Sequence, residues 1–426
     1  MVRILDAAAG ARDIGSIQWN PHEKADTLSR IVDDISQPQR GGRRRAIPLA
    51  GSSLFVAMAV GGLGLIVQLY LKSLNAPVFL IGLASTLNSI GLLVGSWLWG
   101  TISDYVKRRR LLAFLTIGLG GAIAVLAFLP STGIVLGATV VRSVMFAGVG
   151  VVTVAVVSAS SVISRRGKNL SYISSARAFG FAAGNILGGI LLASLGYGLA
   201  FVVFALLPLL AFGAVWMLPC ENPVERKEKV GAWRAIFGSG LLDLYVATAL
   251  RQMAIFGTFA LLYIYMETLG IPVSLMGVIS ATNTATQVLA ILAFGWLADR
   301  VGRRRIFMLG FFLSATVPIF FVFATDVAGM VAGYVTLAIS FSSLYVGSAA
   351  YIGDRVPHHR HGQMLGLYES SRGLGGLFGP LIAGAITPVV GFKGMFLTMA
   401  GIGALGFLVM ILGNTVLGRR ISGGQA

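Results

Sequence analysis

Long apolar runs, separated by short polar or basic segments, make up most of the sequence. A helix that spans a bilayer needs about 20 mainly apolar residues, and twelve runs are long enough. Within each run the apolar residues are continuous instead of alternating, which favours helices over the strands of a membrane β-barrel. The pattern predicts twelve transmembrane helices, near 47–71, 77–99, 111–129, 133–157, 171–193, 196–217, 242–266, 272–294, 306–324, 328–351, 364–387 and 391–416.

The composition agrees with this prediction. Of the 426 residues, 56% are hydrophobic and 12% are charged, whereas soluble domains carry about 25% charged residues. We therefore expect an all-α integral membrane protein. Cys220 is the single cysteine, and the four histidines have no thiol or paired carboxylate nearby, so we expect no disulfide, no metal site and no other cofactor. No nucleophile, base and acid occur together at membrane depth, so we expect no enzymatic activity.

Basic residues fall almost entirely on one side of the predicted spans. Beyond residue 45, nineteen lie in the loops of one side, and only Lys72 and Lys393 lie on the other. The positive-inside rule makes the first side cytoplasmic, together with both termini. The net charge of +17, which in a soluble protein would suggest nucleic acid, is thereby explained by topology. We expect a multi-pass plasma-membrane protein whose surroundings are the lipid bilayer, with no nucleic-acid partner. The nineteen positions are 107–110, 165, 166, 168, 226, 227, 229, 234, 300, 303–305, 355, 360, 419 and 420.

Residues 1–46 are predicted to form a cytoplasmic N-terminal extension. The segment is polar and lacks the apolar core of a cleaved signal. Apolar residues between 28 and 35 recur at helical spacing and predict a short amphipathic helix. It is either an appendage at the membrane surface or a regulatory or partner-binding element. The other predicted divisions are a six-helix bundle at 47–217, a cytoplasmic linker at 218–241, a second six-helix bundle at 242–418 and a cytoplasmic tail at 419–426.

The two halves of the chain repeat each other. Residues 69–78 align with residues 264–273 at an offset of 195 positions, and the same offset relates residues across five helices. One fixed offset over such a length predicts duplicated six-helix halves, related by an axis along the membrane normal. Further pairs at this offset are Gly82 and Gly277, Asn88 and Asn283, Gly100 and Gly295, Asp104 and Asp299, Arg108 and Arg303, Arg177 and Arg372, and Gly184 and Gly379.

The loop after the second helix of each half carries the most specific motif. A Gly is followed four positions later by an Asp and then by a basic cluster, from Gly100 to position 110 and again from Gly295 to position 305. On these two motifs the chain resembles the major facilitator superfamily, from residue 47 to residue 418. The resemblance implies twelve transmembrane helices in two six-helix bundles. It also implies a central cavity lined by helices one, four, seven and ten.

These loops are candidate cytoplasmic gates. A Gly at the helix end is expected to allow close packing against a neighbouring helix, and the Asp and Arg are expected to bridge to an adjacent helix. In the second half we expect Asp354 to pair with Arg303, and Glu369 to pair with Arg372 near the inner gate. Alternatively, the basic clusters only enforce topology. The candidate gating residues are Gly100, Asp104, Arg108, Gly295, Asp299, Arg300, Gly302, Arg303, Asp354, Glu369 and Arg372.

Arg142 and Arg251 lie near the middle of the fourth and seventh spans, with no acidic residue at comparable depth. Charged residues inside a membrane usually face a cavity or a partner. The resemblance places both spans at the central cavity, so we expect the two arginines to point at the same space. They could bind an anionic group of the substrate, or take part in proton coupling or in a conformational contact, or face solvent. Other candidate cavity residues are Gln252, Tyr263, Gln287 and Tyr345.

The sequence favours a secondary active transporter that moves a small organic solute by alternating access. We expect proton coupling, a preference for an anionic substrate and a monomeric state. The chain has no phosphate-binding Gly-Lys-Ser/Thr loop, which disfavours ATP-driven transport. The first alternative is proton-linked export of amphiphilic drugs, for which an apolar cavity lining rich in Met and Phe would be decisive. A hypothesis from another class is a sensor that keeps this fold and signals through residues 1–45.

Overall fold

A computed structural model describes residues 40–160, 163–217, 241–353 and 361–422. The regular elements of these ranges are all helices. The amphipathic segment at 28–35, the linker from 218 to 240 and Asp354 lie outside the described residues, so the expectations for them stay predictions. The helices are α1 (Arg40–Ser73), α2 (Val78–Ile102), α3 (Arg108–Phe128), α4 (Thr132–Ser160), α5 (Ile163–Trp216), α6 (Leu242–Ala260), α7 (Leu262–Thr268), α8 (Val273–Val301), α9 (Arg303–Phe323), α10 (Val327–Gly353) and α11 (His361–Ser422).

Ten helical segments in the described ranges are long and apolar enough to cross a bilayer, when α6 and α7, bent by 40° at their junction, count as one. Two of the ten, Lys168–Trp216 and Gly366–Gly413, contain 49 and 48 residues. At 1.5 Å per residue each would extend about 70 Å, more than twice the hydrocarbon thickness of about 30 Å. Each therefore crosses twice, which raises the count to twelve and confirms the predicted number of spans.

The double helices α5 and α11 turn at Gly196 and Gly391, which are 195 positions apart. Gly196 has φ 72° and ψ −179°, and Gly391 has φ 71° and ψ 176°. Residues with a Cβ rarely adopt this conformation. A Cβ at either position would meet no atom of the described residues within 4 Å, so the backbone conformation and not the space around it favours glycine. These turns lie opposite the end of the bundle that carries residues 107–110 and 303–305, which we call the basic side.

The two halves meet through two equivalent helix pairs, α2 with α11 and α5 with α8. A Cβ added at Gly82 of α2 would lie 2.6 Å from the Pro380 carbonyl oxygen of α11. In the other pair, the Asn185 carbonyl of α5 would block a Cβ at Gly277 of α8. Both residues of the second contact are 195 positions from their counterparts in the first. The contacts between the halves thus follow the repeat that the sequence predicted.

The same repeat holds for the packing inside each half. In the first half α1 packs against α5, and in the second α6 packs against α11, through glycines that admit no side chain. Small residues let membrane helices approach closely, which matters because lipid provides no hydrophobic drive between helices. The structure therefore confirms two six-helix repeats. The equivalent contacts are Gly62 with Gly184 and Phe204, and Gly257 with Gly379 and Met399.

Candidate functional site

A cavity of about 270 Å³ lies between the two halves. Residues of α1, α2 and α4 line it from the first half, and residues of α6 and α7 line it from the second. The second half contributes the rings of Phe256, Phe259 and Tyr263, so the wall is aromatic on that side. The first half contributes most of the polar side chains, namely Gln68, Ser85, Asn88, Ser89, Thr139 and Arg142.

Arg142 is the one charged side chain among the described residues that line this cavity. It is only 6% exposed. Its Nη2 donates a hydrogen bond to Oδ1 of Asn88, 3.1 Å away, while its buried Nε has no partner among the described residues. A buried cation with only neutral partners is poorly compensated. Among the described residues, no acidic side chain neutralises the positive charge that Arg142 presents to the cavity.

Two further polar side chains of the cavity are held by hydrogen bonds, one between the halves and one within the second half. Gln68 of α1 donates its Nε2 to the Phe259 carbonyl oxygen of α6 at 3.1 Å, and its buried Oε1 has no partner among the described residues. The Tyr263 hydroxyl lies 2.6 Å from Oγ of Ser280, which donates to the Tyr334 hydroxyl at 3.1 Å. The predicted cavity residue Tyr263 is thus held by hydroxyl groups of α8 and α10.

The expectation that Arg251 shares this cavity with Arg142 is wrong. Arg251 is 4% exposed, and its Nε donates to Oγ of Ser314 in α9 at 2.8 Å. Its Nη1 donates to Oε1 of the adjacent Gln252, also at 2.8 Å. Both acceptors lie in its own half, and Arg251 is not among the described residues that line the cavity at Arg142. The predicted cavity residue Gln252 is likewise occupied as the partner of Arg251.

Arg251 instead lines a second cavity, of about 290 Å³, formed by α6, α10 and α11. Tyr345, a predicted cavity residue, lines this one, and its ring stacks on Phe341 with centroids 6.2 Å apart and planes inclined by 16°. Gln287 lines neither of the two cavities described here. Its backbone oxygen accepts a hydrogen bond from Ser342 at 3.1 Å, so it joins α8 to α10. The Gln287 side chain is thus not part of the described lining of the cavity at Arg142 or of the cavity at Arg251.

An arginine lies over a phenylalanine ring at the same place in each half. The Arg177 guanidinium carbon is 6.0 Å from the Phe146 ring centroid, and that of Arg372 is 5.7 Å from the Phe341 centroid. Both pairs are related by the offset of 195. The contact with Arg177 gives Phe146 a structural role as a cation–π partner.

Only the second of these arginines has an acidic partner among the described residues. Nη1 of Arg372 lies 2.9 Å from both carboxylate oxygens of Glu369. This is the predicted Glu369–Arg372 ion pair, and it is exposed. The repeat equivalent of Glu369 is Ser174, so the first half cannot form the same pair.

In the first gating loop, Arg108 is buried, and its Nη1 donates to the Ala155 carbonyl oxygen of α4 at 3.3 Å. The loop cation thus bridges to a neighbouring helix, although through a backbone carbonyl instead of a carboxylate. Asp104 lies in the turn after α2. Among the described residues a Cβ at Gly100 would make only an ordinary contact, 3.7 Å from Val151, so these residues do not support the packing role expected of Gly100.

In the second gating loop, a Cβ at Gly295 would meet no atom of the described residues within 4 Å, so these residues do not support the packing role expected of it. Gly302, in contrast, is required by its backbone, with φ 101° at the start of α9. The Arg300 guanidinium lies over the Trp296 ring, 3.8 Å from its centroid. The side chain of Asp299 lies outside the described residues, as does Asp354, so the Asp354–Arg303 pair stays a prediction.

Comparisons with known proteins agree with this architecture. The family model of the Major Facilitator Superfamily matches residues 49–268 and 244–420. The uncharacterized MFS-type transporter MJ1560 of Methanocaldococcus jannaschii is 23% identical over 80% of this chain and 90% of its own length. The putative niacin/nicotinamide transporter NiaP of Bacillus subtilis is 23% identical over 83% of this chain and 90% of its own.

A solved structure of the nucleoside transporter NupG superposes with a TM-score of 0.75, at 12% identity, over 87% of this chain and 99% of that one. At this identity the superposition establishes the fold alone. The family match covers nearly the whole described chain, and the spans, the repeat and the fold agree with it. The chain therefore belongs to the Major Facilitator Superfamily and is a multi-span membrane transporter of that family.

Proposed function

We propose that the protein is a secondary active transporter that carries a small organic solute across the plasma membrane by alternating access, as a monomer and coupled to protons. The solute presents an anionic group to Arg142. One observation carries this proposal: a guanidinium that is 6% exposed lines the cavity between the halves. It has no carboxylate partner among the described residues.

The energetics favour an anionic ligand at this position. Removing a cation from water is costly unless another charge compensates it, and Asn88 provides only a neutral oxygen. A carboxylate or phosphate would form charge-assisted hydrogen bonds with Arg142, each contributing about 1.5–3 kcal/mol. A solute beside Arg142 would also contact Phe256 and Phe259 of the other half. Its affinity would therefore change when the halves move relative to each other.

The contacts between the halves support alternating access. The close approaches at Gly82 and Gly277 lie within the first two turns of α2 and α8, at the ends remote from the basic side. We infer that the cavity is closed on that remote side. With the basic side in the cytoplasm, as the charge distribution predicts, this is an inward-facing conformation. Separation of α2 from α11 and of α5 from α8 would open the cavity to the other side.

Proton coupling is proposed from the fourth span. Arg142 followed by Gly148 and Gly150 resembles the corresponding helix of proton-linked members, which have a glycine where this chain has Phe146. In proteoliposomes with an imposed pH gradient, we expect concentrative uptake that a protonophore abolishes. Exchange of labelled for unlabelled solute should continue without the gradient. Concentrative uptake that persists with the protonophore would contradict proton coupling.

The anion proposal is tested by uptake of radiolabelled carboxylates and organophosphates into proteoliposomes. For a solute that the wild type carries, Arg142→Gln should reduce uptake at least tenfold, since one charge-assisted hydrogen bond contributes about 1.5–3 kcal/mol. Arg142→Lys keeps the charge and should retain more uptake. Lys393→Gln is the control, because it removes an exposed basic side chain that lies outside this cavity and outside the candidate gates. Undiminished uptake by Arg142→Gln would overturn the proposal.

Export of amphiphilic drugs is the second candidate, and the apolar wall of the same cavity favours it. Val60, Leu63 and Val67 of α1 face Phe256 and Phe259 across the space. A drug held by these side chains would not depend on Arg142. Efflux of a cationic dye that is equal in the wild type and in Arg142→Gln, with no carboxylate uptake by either, would favour this function over the first.

A further inference from the structure

The cavity of about 290 Å³ between α6, α10 and α11 is separate from the cavity at Arg142, and its lining belongs entirely to the second half. Two arginines and one glutamate line it, so it carries one excess positive charge. The repeat-equivalent place in the first half lacks three of the relevant side chains. Val56, Gly150 and Ser174 stand there for Arg251, Tyr345 and Glu369. The same set of lining side chains is therefore not repeated in the first half.

Arg251 is a fixed, buried cation in the wall of this cavity. It is 4% exposed and is oriented by Oγ of Ser314, which in turn contacts Oγ of Ser340 at 2.5 Å and donates to the Gly310 carbonyl oxygen at 2.7 Å. Its Nε and Nη1 are occupied, and its Nη2 has no hydrogen-bond partner among the described residues. Nη2 of this preorganised guanidinium is thus available to donate a hydrogen bond to a ligand.

The second cation, Arg372, is neutralised by a weakly held partner. Glu369 accepts from Nη1 of Arg372 through both oxygens, but its side chain is 62% exposed. Exposed ion pairs are strongly screened by water and contribute little to stability. An external carboxylate that also reaches a buried arginine would compete favourably with Glu369 for Arg372.

Between these cations the cavity presents aromatic surface. Phe341 contacts the Arg372 guanidinium and stacks on Tyr345, whose side chain is 62% exposed. Nearly parallel rings offer a planar surface against which another planar ring can stack. The volume of about 290 Å³ accommodates a ligand of one or two rings.

We propose that this cavity is a second binding site, selective for a small aromatic carboxylate. The carboxylate binds Arg251 and Arg372, its ring packs against Phe341 and Tyr345, and Glu369 leaves Arg372 when the ligand enters. A role of this site in transport rests on the proposed function. In that role, the site would hold the anionic solute between the Arg142 cavity and the basic side. As a binding site it stands on its own geometry.

Benzoate and benzamide are the probes, titrated by calorimetry into the purified full-length protein in lipid nanodiscs. We expect benzoate to bind saturably and benzamide to bind at least tenfold more weakly, since one charge-assisted interaction contributes about 1.5–3 kcal/mol. Arg372→Gln should lower the benzoate affinity at least tenfold. Glu369→Gln should raise it several-fold, because the competing carboxylate is gone. A gain of affinity cannot arise from misfolding, so this variant keeps the test valid even if Arg372→Gln is unstable.

The first half provides the matched control. Arg177→Gln removes the equivalent arginine, which lies over Phe146, and should leave benzoate affinity unchanged. Absence of saturable benzoate binding, equal binding of benzamide, or insensitivity to both Glu369→Gln and Arg372→Gln would overturn the proposal.

Failure of the transport proposal would be recognised separately. If benzoate binds as expected but uptake of anionic solutes is absent or indifferent to Arg142→Gln, the second site stands and the proposed function fails. If uptake depends on Arg142 while benzoate binding ignores Arg372 and Glu369, the proposed function stands and the second site fails.

Discussion

Lys72 and Glu267 occupy the same position in the two repeats, 195 residues apart, and pair with each other, with Nζ 3.2 Å from Oε1. A residue that meets its own repeat counterpart lies on the axis that relates the two halves. The pair joins the ends of α1 and α7, on the side remote from the basic clusters. The two charges are opposite, so the pair holds the two halves together. It can form only while the remote side is closed.

Replacing Lys72 with Glu should loosen this closed side, because two carboxylates would then face each other. Exposed ion pairs contribute about 0–1 kcal/mol, so the shift should be a few-fold in the population of the open form. Ser85 lines the cavity between the halves, and a Ser85→Cys reporter in a Cys220→Ser background measures the opening. Labelling by an impermeant maleimide from the remote side should accelerate.

The charge swap Lys72→Glu with Glu267→Lys is the control for that experiment. It restores opposite charges on the axis and should return labelling to the rate of the reporter alone. If the swap labels as fast as Lys72→Glu, or if neither change affects the rate, the pair does not hold the halves closed.

Gly82→Ala should disrupt the α2–α11 contact, because the added methyl would lie 2.6 Å from the Pro380 carbonyl oxygen. Overpacking of this kind costs about 1–3 kcal/mol. In thermal unfolding of the detergent-solubilised protein, the apparent Tm should fall, and the Ser85→Cys reporter should label faster from the remote side. Gly277→Ala should behave alike, since it meets Asn185 in the equivalent way.

Gly137→Ala is the comparison for both changes, since a Cβ at Gly137 would meet nothing within 4 Å. Alanine in an open helical position stabilises by about 0.5–1 kcal/mol relative to glycine. Its Tm should therefore stay the same or rise. Equal effects of Gly82→Ala and Gly137→Ala would contradict the close approach of α2 and α11.

The number of spans and the repeat could be predicted from the sequence because both depend on which residues are apolar and how far apart they lie. The position of the Gly196 turn could also be predicted, since the predicted fifth and sixth spans meet there. Gly82 and Gly277, which make the contacts between the halves, could be paired by the same offset, although predicting what they contact requires knowing which helices are neighbours.

The direction of side chains was harder to predict. Arg251 was expected at the central cavity because its helix lines that space in the superfamily. Its guanidinium instead donates a hydrogen bond to the Ser314 hydroxyl of α9, within the second half. The pairing of Lys72 with Glu267 and of Arg142 with Asn88 depends on contacts between helices that are far apart in sequence. Helical periodicity fixes the face on which a residue lies, but not the partner that occupies the facing helix.

Gly196→Ala should destabilise the turn between the fifth and sixth spans. The backbone conformation, with φ 72° and ψ −179°, costs a residue with a Cβ about 1–3 kcal/mol. The apparent Tm in detergent should fall, and Gly391→Ala should cause a similar fall because it has the same conformation. Gly213→Ala in the same long helix α5 is the control, as it has open space and no positive φ. An unchanged Tm in both turn variants would mean that the turn relaxes without cost.

Asn88→Asp should block anionic solutes without removing Arg142. The Asn88 side chain already lies 3.1 Å from Nη2 of Arg142, so an aspartate at this position would neutralise the guanidinium and occupy the donor that a substrate anion needs. Carboxylate uptake into proteoliposomes should fall at least tenfold, since a charge-assisted hydrogen bond contributes about 1.5–3 kcal/mol.

Asn88→Ala separates this effect from loss of the hydrogen bond alone, because it frees Arg142 without adding a charge and should retain most uptake. Asn283→Asp places the same substitution at the repeat-equivalent site, where the amide donates to the Tyr334 carbonyl oxygen and not to an arginine. This variant should not reduce the uptake of anions more than it reduces the uptake of neutral solutes. If Asn88→Asp transports carboxylates as well as Asn88→Ala does, the charge of Arg142 is not what the solute recognises.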